Sequence, residues 1–135
     1  MDQKEVSGIS FQIDFSQPLY EQILNQIRSA IVRGEIGLGE KIPSVRELAQ
    51  GLHINPNTVM RAYQELERDG LTEKRRGQGT FVTSSSKRVE AFRMEVAKEQ
   101  IHTFIEQMKN LGLTWENVRA YIDQLLDDDK GGENP

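Results

Sequence analysis

The chain has 135 residues, 36% hydrophobic and 28% charged, with 17 Lys and Arg against 21 Asp and Glu, no cysteine and a formal net charge of −4; this suits one domain with added helix, or two small units sharing a core, and excludes a large enzyme. Without cysteine there is no disulfide, thiolate nucleophile or cysteine metal site, and a reducing cytoplasm is the natural compartment. The acidic balance argues against a whole surface that clings to nucleic acid, no apolar run reaches the length of a membrane span, and residues 1–8 lack the charged start and apolar stretch of a secretory leader.

Ile9 to Phe15 alternates apolar and polar residues, which predicts a half-buried strand over 9–15 or an extended arm. Pro18 then opens a helix in which Tyr20, Ile23, Leu24, Ile27 and Ile31 recur at helical spacing as a core stripe, and Gly34 supplies the stop. Gly34 to Pro43, with three glycines and a proline, reads as a turn-rich connector. A short second helix follows. Ser44 and Glu47 form its capping box, Val45, Leu48 and Leu52 its buried stripe, and Gly51 weakens its interior. Asn55 as N-cap and Pro56 at the first helical position start a third helix, ended by Gly70. Two helices joined by so short a turn make a helix-turn-helix. The segments LTEKRR and TFVT around GQG read as a hairpin, or wing.

The third helix carries the chemical signal. At about 100° per residue from Val59, Tyr63 and Leu66 face a core, while Asn57, Arg61, Gln64 and Arg68 fall between about 140° and 200°. Glu65 and Glu67 lie on the flanks, so the central outer face holds amides and guanidiniums without a carboxylate. A solvated face usually mixes both signs. A face that reads a DNA major groove needs this composition, because Asn and Gln pair with adenine, Arg pairs with guanine, and phosphate repels carboxylates. Asn57, Thr58 and Arg61, nearest the helix start, are the expected base readers, and Arg68 lies too far along. Ser44 and Arg46 open a helix whose free N–H groups suit a phosphate, and Arg75 and Arg76 adjoin a glycine turn that lets backbone approach DNA. From Lys74 to Arg88 there are five cations and no acid. Taken alone, that run reads equally as a solvated loop or as a local positive field.

The segments PLYEQI, IPSVRELA, INPNTVMRAYQELERDG and RRGQGTFV, in this order over roughly residues 16–84, resemble the winged helix-turn-helix of the GntR family of bacterial transcription regulators. The resemblance implies operator DNA binding as a homodimer, with Ser44, Arg46, Asn55, Asn57, Thr58, Arg61 and the wing residues Arg75, Arg76, Gly77, Gln78, Gly79 and Thr80 at DNA-facing positions. Gln64 joins them from the helix face. Pro56 departs from the family, in which many members carry arginine, so those base contacts do not transfer. NPNTV resembles the YtrA-like subfamily, which implies a short helical tail in place of a large effector domain and an association with transporter operons.

After the serines at 84–86 a long helix is expected to about Leu111, with Met94, Ala97, Ile101, Phe104, Met108 and Leu111 three and four apart, as in a heptad seam. Gly112 breaks it and Thr114 caps a final helix whose stripe is Trp115, Val118, Ile122 and Leu125. Such a hairpin exposes more apolar surface than it buries alone. A second copy is the expected cover, and folding back onto its own winged domain is the competing arrangement. The four acids from Asp127 to Glu133 read as a disordered end.

The expected fold is thus mostly α with a small β wing: a winged helix-turn-helix over 1–84, then a C-terminal two-helix dimerisation hairpin over 85–135, disordered from about 127. The expected function is a cytoplasmic, homodimeric transcriptional repressor. Its partner is double-stranded, roughly palindromic operator DNA, with half-sites about 34 Å apart. No cofactor, metal or membrane is expected, and a small-molecule effector in the dimer cleft stays open with no residue to identify it. An enzyme is excluded on chemistry: His53 lies in a turn, His102 and Glu106 form at most a two-ligand clamp, and GQGT is too short for a phosphate loop. A winged-helix protein adaptor without specific DNA readout is the alternative, and it gives no reason for a carboxylate-free face.

Overall fold

The computed structural model, which describes residues 2–129, opens on a hairpin of β1 (Asp2–Val6) and β2 (Ile9–Ile13), paired antiparallel from Asp2 opposite Ile13 to Val6 opposite Ile9. Ser7 and Gly8, both at positive φ, make the two-residue turn that matches strand twist. The expected strand over 9–15 is therefore shorter, ends at Ile13, and has a partner in its own chain. The end has a local cause: Asp14 accepts the Ser16 N–H at 3.0 Å and hydroxyl at 2.6 Å, turning the chain. Those same bonds hold its carboxyl below the ordinary aspartate range. β1 escapes sequence reading because DQKEV has no alternation, and only Val6 of the strand is buried.

The outer edge of β2 is covered by side-chain amides of α1 (Leu19–Val32). Gln26 accepts the Gln12 N–H at 2.9 Å and donates to the Gln12 carbonyl at 2.7 Å, and Gln22 does the same at Asp14, at 2.8 and 2.9 Å. One turn apart on the helix, these glutamines meet Gln12 on the strand and Asp14 just beyond its end. They stand in for a third strand where bare ladder groups would invite another chain.

β3 (Lys41–Ile42), within the expected connector, is followed by α2 (Val45–Leu52), α3 (Pro56–Arg68), β4 (Thr72–Arg75) and β5 (Gly79–Val82). The wing is thus a three-stranded sheet, ordered β3-β5-β4, with Lys41 opposite Phe81 and Thr72 opposite Val82. Phe11, Ile13, Ile23, Ile27, Leu48, Leu52, Val59, Leu66, Leu71 and Val82 are buried in one core to which the hairpin, the three helices and the wing all contribute. The chain divides into two compact units, Met1–Met94 and Glu95–Pro135. The first passes the expected edge at 84 because Val89 and Phe92, early in α4 (Ser86–Asn110), pack on this core. Arg93 also donates to the Val32 carbonyl at 2.6 Å.

The second unit holds the rest of α4 and α5 (Trp115–Asp128), with Gly112 at positive φ between them. Thr114 caps α5 in a reciprocal box with Asn117. α5 includes Asp127 and Asp128, so the helix runs past the point, about 127, where a disordered end is expected; residues 130–133 lie outside the described residues. No helix among the described residues is long and apolar enough to cross a membrane.

Gly51, by propensity a weak point of α2, has a packing reason to be there: a Cβ at this position would meet Val6 Cγ2 at 2.5 Å. Gly51→Ala gains about 1 kcal/mol of helix propensity but crowds a stiff β-branched side chain, costing about 1–3 kcal/mol. We expect a lower urea midpoint in the variant; a higher one would show that the hairpin moves freely away from α2.

Candidate nucleic-acid interface

Asn55 starts α3 by accepting the Asn57 N–H at 2.8 Å, with Pro56 at the first helical position, where its missing N–H removes nothing. The buried stripe is Val59, Ala62, Tyr63 and Leu66; Asn57, Met60, Arg61, Gln64 and Arg68 are exposed and Thr58 is half-buried. Two polar ties set the pose of this helix. Tyr63 donates its hydroxyl to the Pro43 carbonyl at 2.6 Å, and Arg28 of α1 bonds Asp69 at the helix end at 2.7 Å. Burial, with the Glu47 carboxylate nearby, pushes the Tyr63 hydroxyl far above its ordinary range, so it stays a donor at any working pH. Pro43 directly precedes α2, hence the Tyr63 bond ties the exposed helix to the start of its neighbour.

At that start, Ser44 accepts the Glu47 N–H and Glu47 accepts the Ser44 N–H, both at 3.1 Å. The Ser44 bonds hold the Glu47 carboxyl below its usual range, so the box is intact at neutral pH. Ser44 and Asn55 thus spend side-chain acceptors on their own helices. What α2 presents outward is Arg46, exposed in its first turn.

In the wing, the Gln78 N–H bonds the Arg75 carbonyl at 2.9 Å around Gly77 at φ 74°, a type II arrangement that needs glycine at its third position. Arg76, Gly77, Gln78 and Gly79 are exposed and Thr80 is half-buried. Arg75 is engaged internally, lying 4.1 Å from the Phe81 ring centroid and 3.1 Å from Glu73, whereas Arg76 is exposed at the tip. Because β3 pairs with β5, residues 41–42 anchor the start of α2 to the wing, just as Tyr63 anchors it to α3. The two helices and the sheet are one connected support.

Two contributors are not legible in the sequence. Tyr20, expected in the core stripe, is half-buried, and its ring carries the Arg61 guanidinium 3.9 Å from its centroid. Helical spacing marks Tyr20 as inward-facing but cannot show a second helix arriving over its ring. Lys41 lies against the wing, where a Cβ at Gly79 would meet its Cε at 2.8 Å; only the β3–β5 pairing reveals this. Arg68 pairs with Glu65 at 2.6 Å.

In the second unit Ile101, Phe104, Leu111, Trp115 and Leu125 are exposed, and Ala97, Met108 and Ile122 are half-buried. Met94, exposed, belongs to the first unit. Val118, expected in the dimer seam, is 6% exposed within the single chain. It lines a small cleft with Ile105, Met108, Leu113 and Trp115 where the two helices join. No cluster of three metal-ligating side chains stands among the described residues, and His102 and Glu106 gain no third ligand there.

The model for bacterial regulatory proteins of the gntR family matches residues 19–82. An uncharacterized HTH-type transcriptional regulator of Bacillus subtilis (strain 168), YhcF, is 45% identical over 107 residues, covering 79% of this chain and 88% of its own. The HTH-type transcriptional repressor YtrA of the same organism is 41% identical over 120 residues, covering 87% and 92%. A solved GntR family transcriptional regulator from Listeria monocytogenes superposes with a TM-score of 0.72 at 38% identity, covering 83% of this chain and 98% of that one.

Proposed function

This chain belongs to the gntR family of bacterial regulatory proteins and is a DNA-binding transcription regulator, and from that premise we propose that it is a cytoplasmic homodimer that represses transcription by occupying a roughly palindromic operator. The observation that carries this reading is the sorting of α3. Val59, Ala62, Tyr63 and Leu66 are buried while Asn57, Arg61 and Gln64 are exposed together. In the major groove the amides match adenine and the guanidinium matches guanine. Arg61, its guanidinium 3.9 Å from the Tyr20 ring centroid, is restrained before contact, so less freedom is lost on binding.

Arg46, Lys41 and Arg76, all exposed, supply phosphate contacts around that face. The half-buried or exposed apolar stripe of the second unit suits a second copy. Two copies would set their α3 helices about one duplex turn, 34 Å, apart. A bound dimer obstructs polymerase with no further apparatus, which favours repression.

Selecting duplexes from a random pool with the full-length protein tests binding, symmetry and spacing together. An enriched inverted repeat whose affinity falls steeply with salt is expected; indifference to every duplex at low salt would instead mark a protein adaptor. Two substitutions separate the roles. Arg61→Ala should reduce discrimination between operator and random DNA by about 1–3 kcal/mol, and Arg76→Ala should weaken both and lower the salt slope by about one. Equal, sequence-independent losses from the two changes would refute the assignment.

A further inference from the structure

We propose that Met60 is a specificity-determining residue that packs its thioether against the C5 methyl of a thymine in the major groove. The proposal rests on the reading of α3 as the helix that enters DNA. Met60 is 43% exposed in the N-terminal half of α3, three residues after Asn57 and four before Gln64. At about 100° per residue it projects about 100° from Val59, beside Gln64 at about 140° and Asn57 at about 160°. The thioether and two amides therefore form one patch, and Arg61, at about 200°, lies on its far side.

Single exposed apolar residues are ordinary on a surface. Among the described residues of the first unit, the other exposed large apolar residues are Phe15, Leu38 and Met94. None shares a helix face with amides and an arginine read as base contacts. The chemistry of the patch is more informative than the exposure. An A·T pair shows the groove an adenine N7 acceptor and N6 donor beside a thymine methyl, and a G·C pair has no methyl. Carboxamides at Asn57 and Gln64 fit the adenine edge, and a flexible, polarisable thioether fits the adjacent methyl. A glutamate at position 60 would serve solubility equally well and would set a carboxylate against the phosphates instead of an apolar contact. The half-site is thus expected to hold A·T pairs under Asn57, Met60 and Gln64, flanked by the base or phosphate that Arg61 meets.

The test uses the full-length protein and its selected duplex. Each thymine of one half-site is replaced in turn by deoxyuridine, which lacks only the methyl, and affinity is measured for wild type, Met60→Leu and Met60→Ala. One thymine is expected whose demethylation weakens wild type about four-fold, the effect of one buried methyl-sized group. Met60→Ala should bind the thymine duplex more weakly and ignore that demethylation, and Met60→Leu should keep most of the sensitivity. Wild-type affinity unchanged across all the deoxyuridine duplexes, or a penalty that Met60→Ala retains in full, overturns the role of Met60. Failure of the wild type to select any duplex overturns the reading of α3 itself.

Discussion

Ile101→Asp is expected to turn the protein into monomers and to lower operator affinity by about 10²–10⁴-fold, the range of advantage that linking two binding modules confers. Val118 is the one buried side chain among the described residues of the second unit. Ile101, 58% exposed, shares its helix with Phe104 at 38% and is followed in α5 by Trp115 at 53% and Leu125 at 48%. A helical unit with a single buried residue among its described residues lacks the core that independent stability requires, so another surface must cover these side chains. If that surface is a second copy, Ile101 lies in the seam and a carboxylate there is taken from water without a partner. The first unit has a separate core, so its thermal transition should be kept. Sedimentation and duplex titration together check this: dimers that persist in the variant would show that the seam runs elsewhere.

Leu66→Ala is expected to destabilise the first unit by about 2–5 kcal/mol, the cost of truncating a buried leucine. Leu66 is fully buried on the face of α3 opposite the exposed amides, and its carbonyl also accepts the Leu71 N–H at 3.0 Å where the chain turns into the wing. For a domain of this size, each kcal/mol lowers the melting temperature by about 4–8 °C. Such a loss is a large part of the roughly 5–15 kcal/mol that ordinarily separates a folded domain from its unfolded chain. Duplex binding should therefore weaken on warming well before it does in wild type and recover on cooling, with the preferred sequence unchanged. Gln64→Ala makes the contrast, since its exposed site predicts a stability change within about 0.5 kcal/mol and altered base preference. A Leu66→Ala variant that melts with wild type would mean α3 is not seated as described.

Much of the fold is readable from residues whose effects are local. Pro18, the Ser44–Glu47 box, Asn55 with Pro56, Gly70, Gly112 and Thr114 act within a turn of their own positions, so the helix starts and stops follow from short-range sterics and hydrogen bonding. The 3.6-residue period equally assigns Val59, Tyr63 and Leu66 inward and Asn57, Arg61 and Gln64 outward, and the structure has them so. These six positions are the ground on which a groove-reading surface is proposed. The four ordered motifs lead to the same family as the comparisons.

What tertiary structure alone decided was every pairing between segments far apart in the chain. β1 has no alternation because it lies at the surface; it is held by its pairing with β2 and by Val6 packed against the bare backbone of Gly51. β3 is two residues long and forms only because β5 runs beside it, which also brings Lys41 to the wing. Tyr20 carries Arg61 because α1 and α3 cross there, and Val118 is buried because the two tail helices meet at their joint. Periodicity says which side of an element faces inward; it carries no information about what arrives on that side, because the energies that decide it belong to two segments at once.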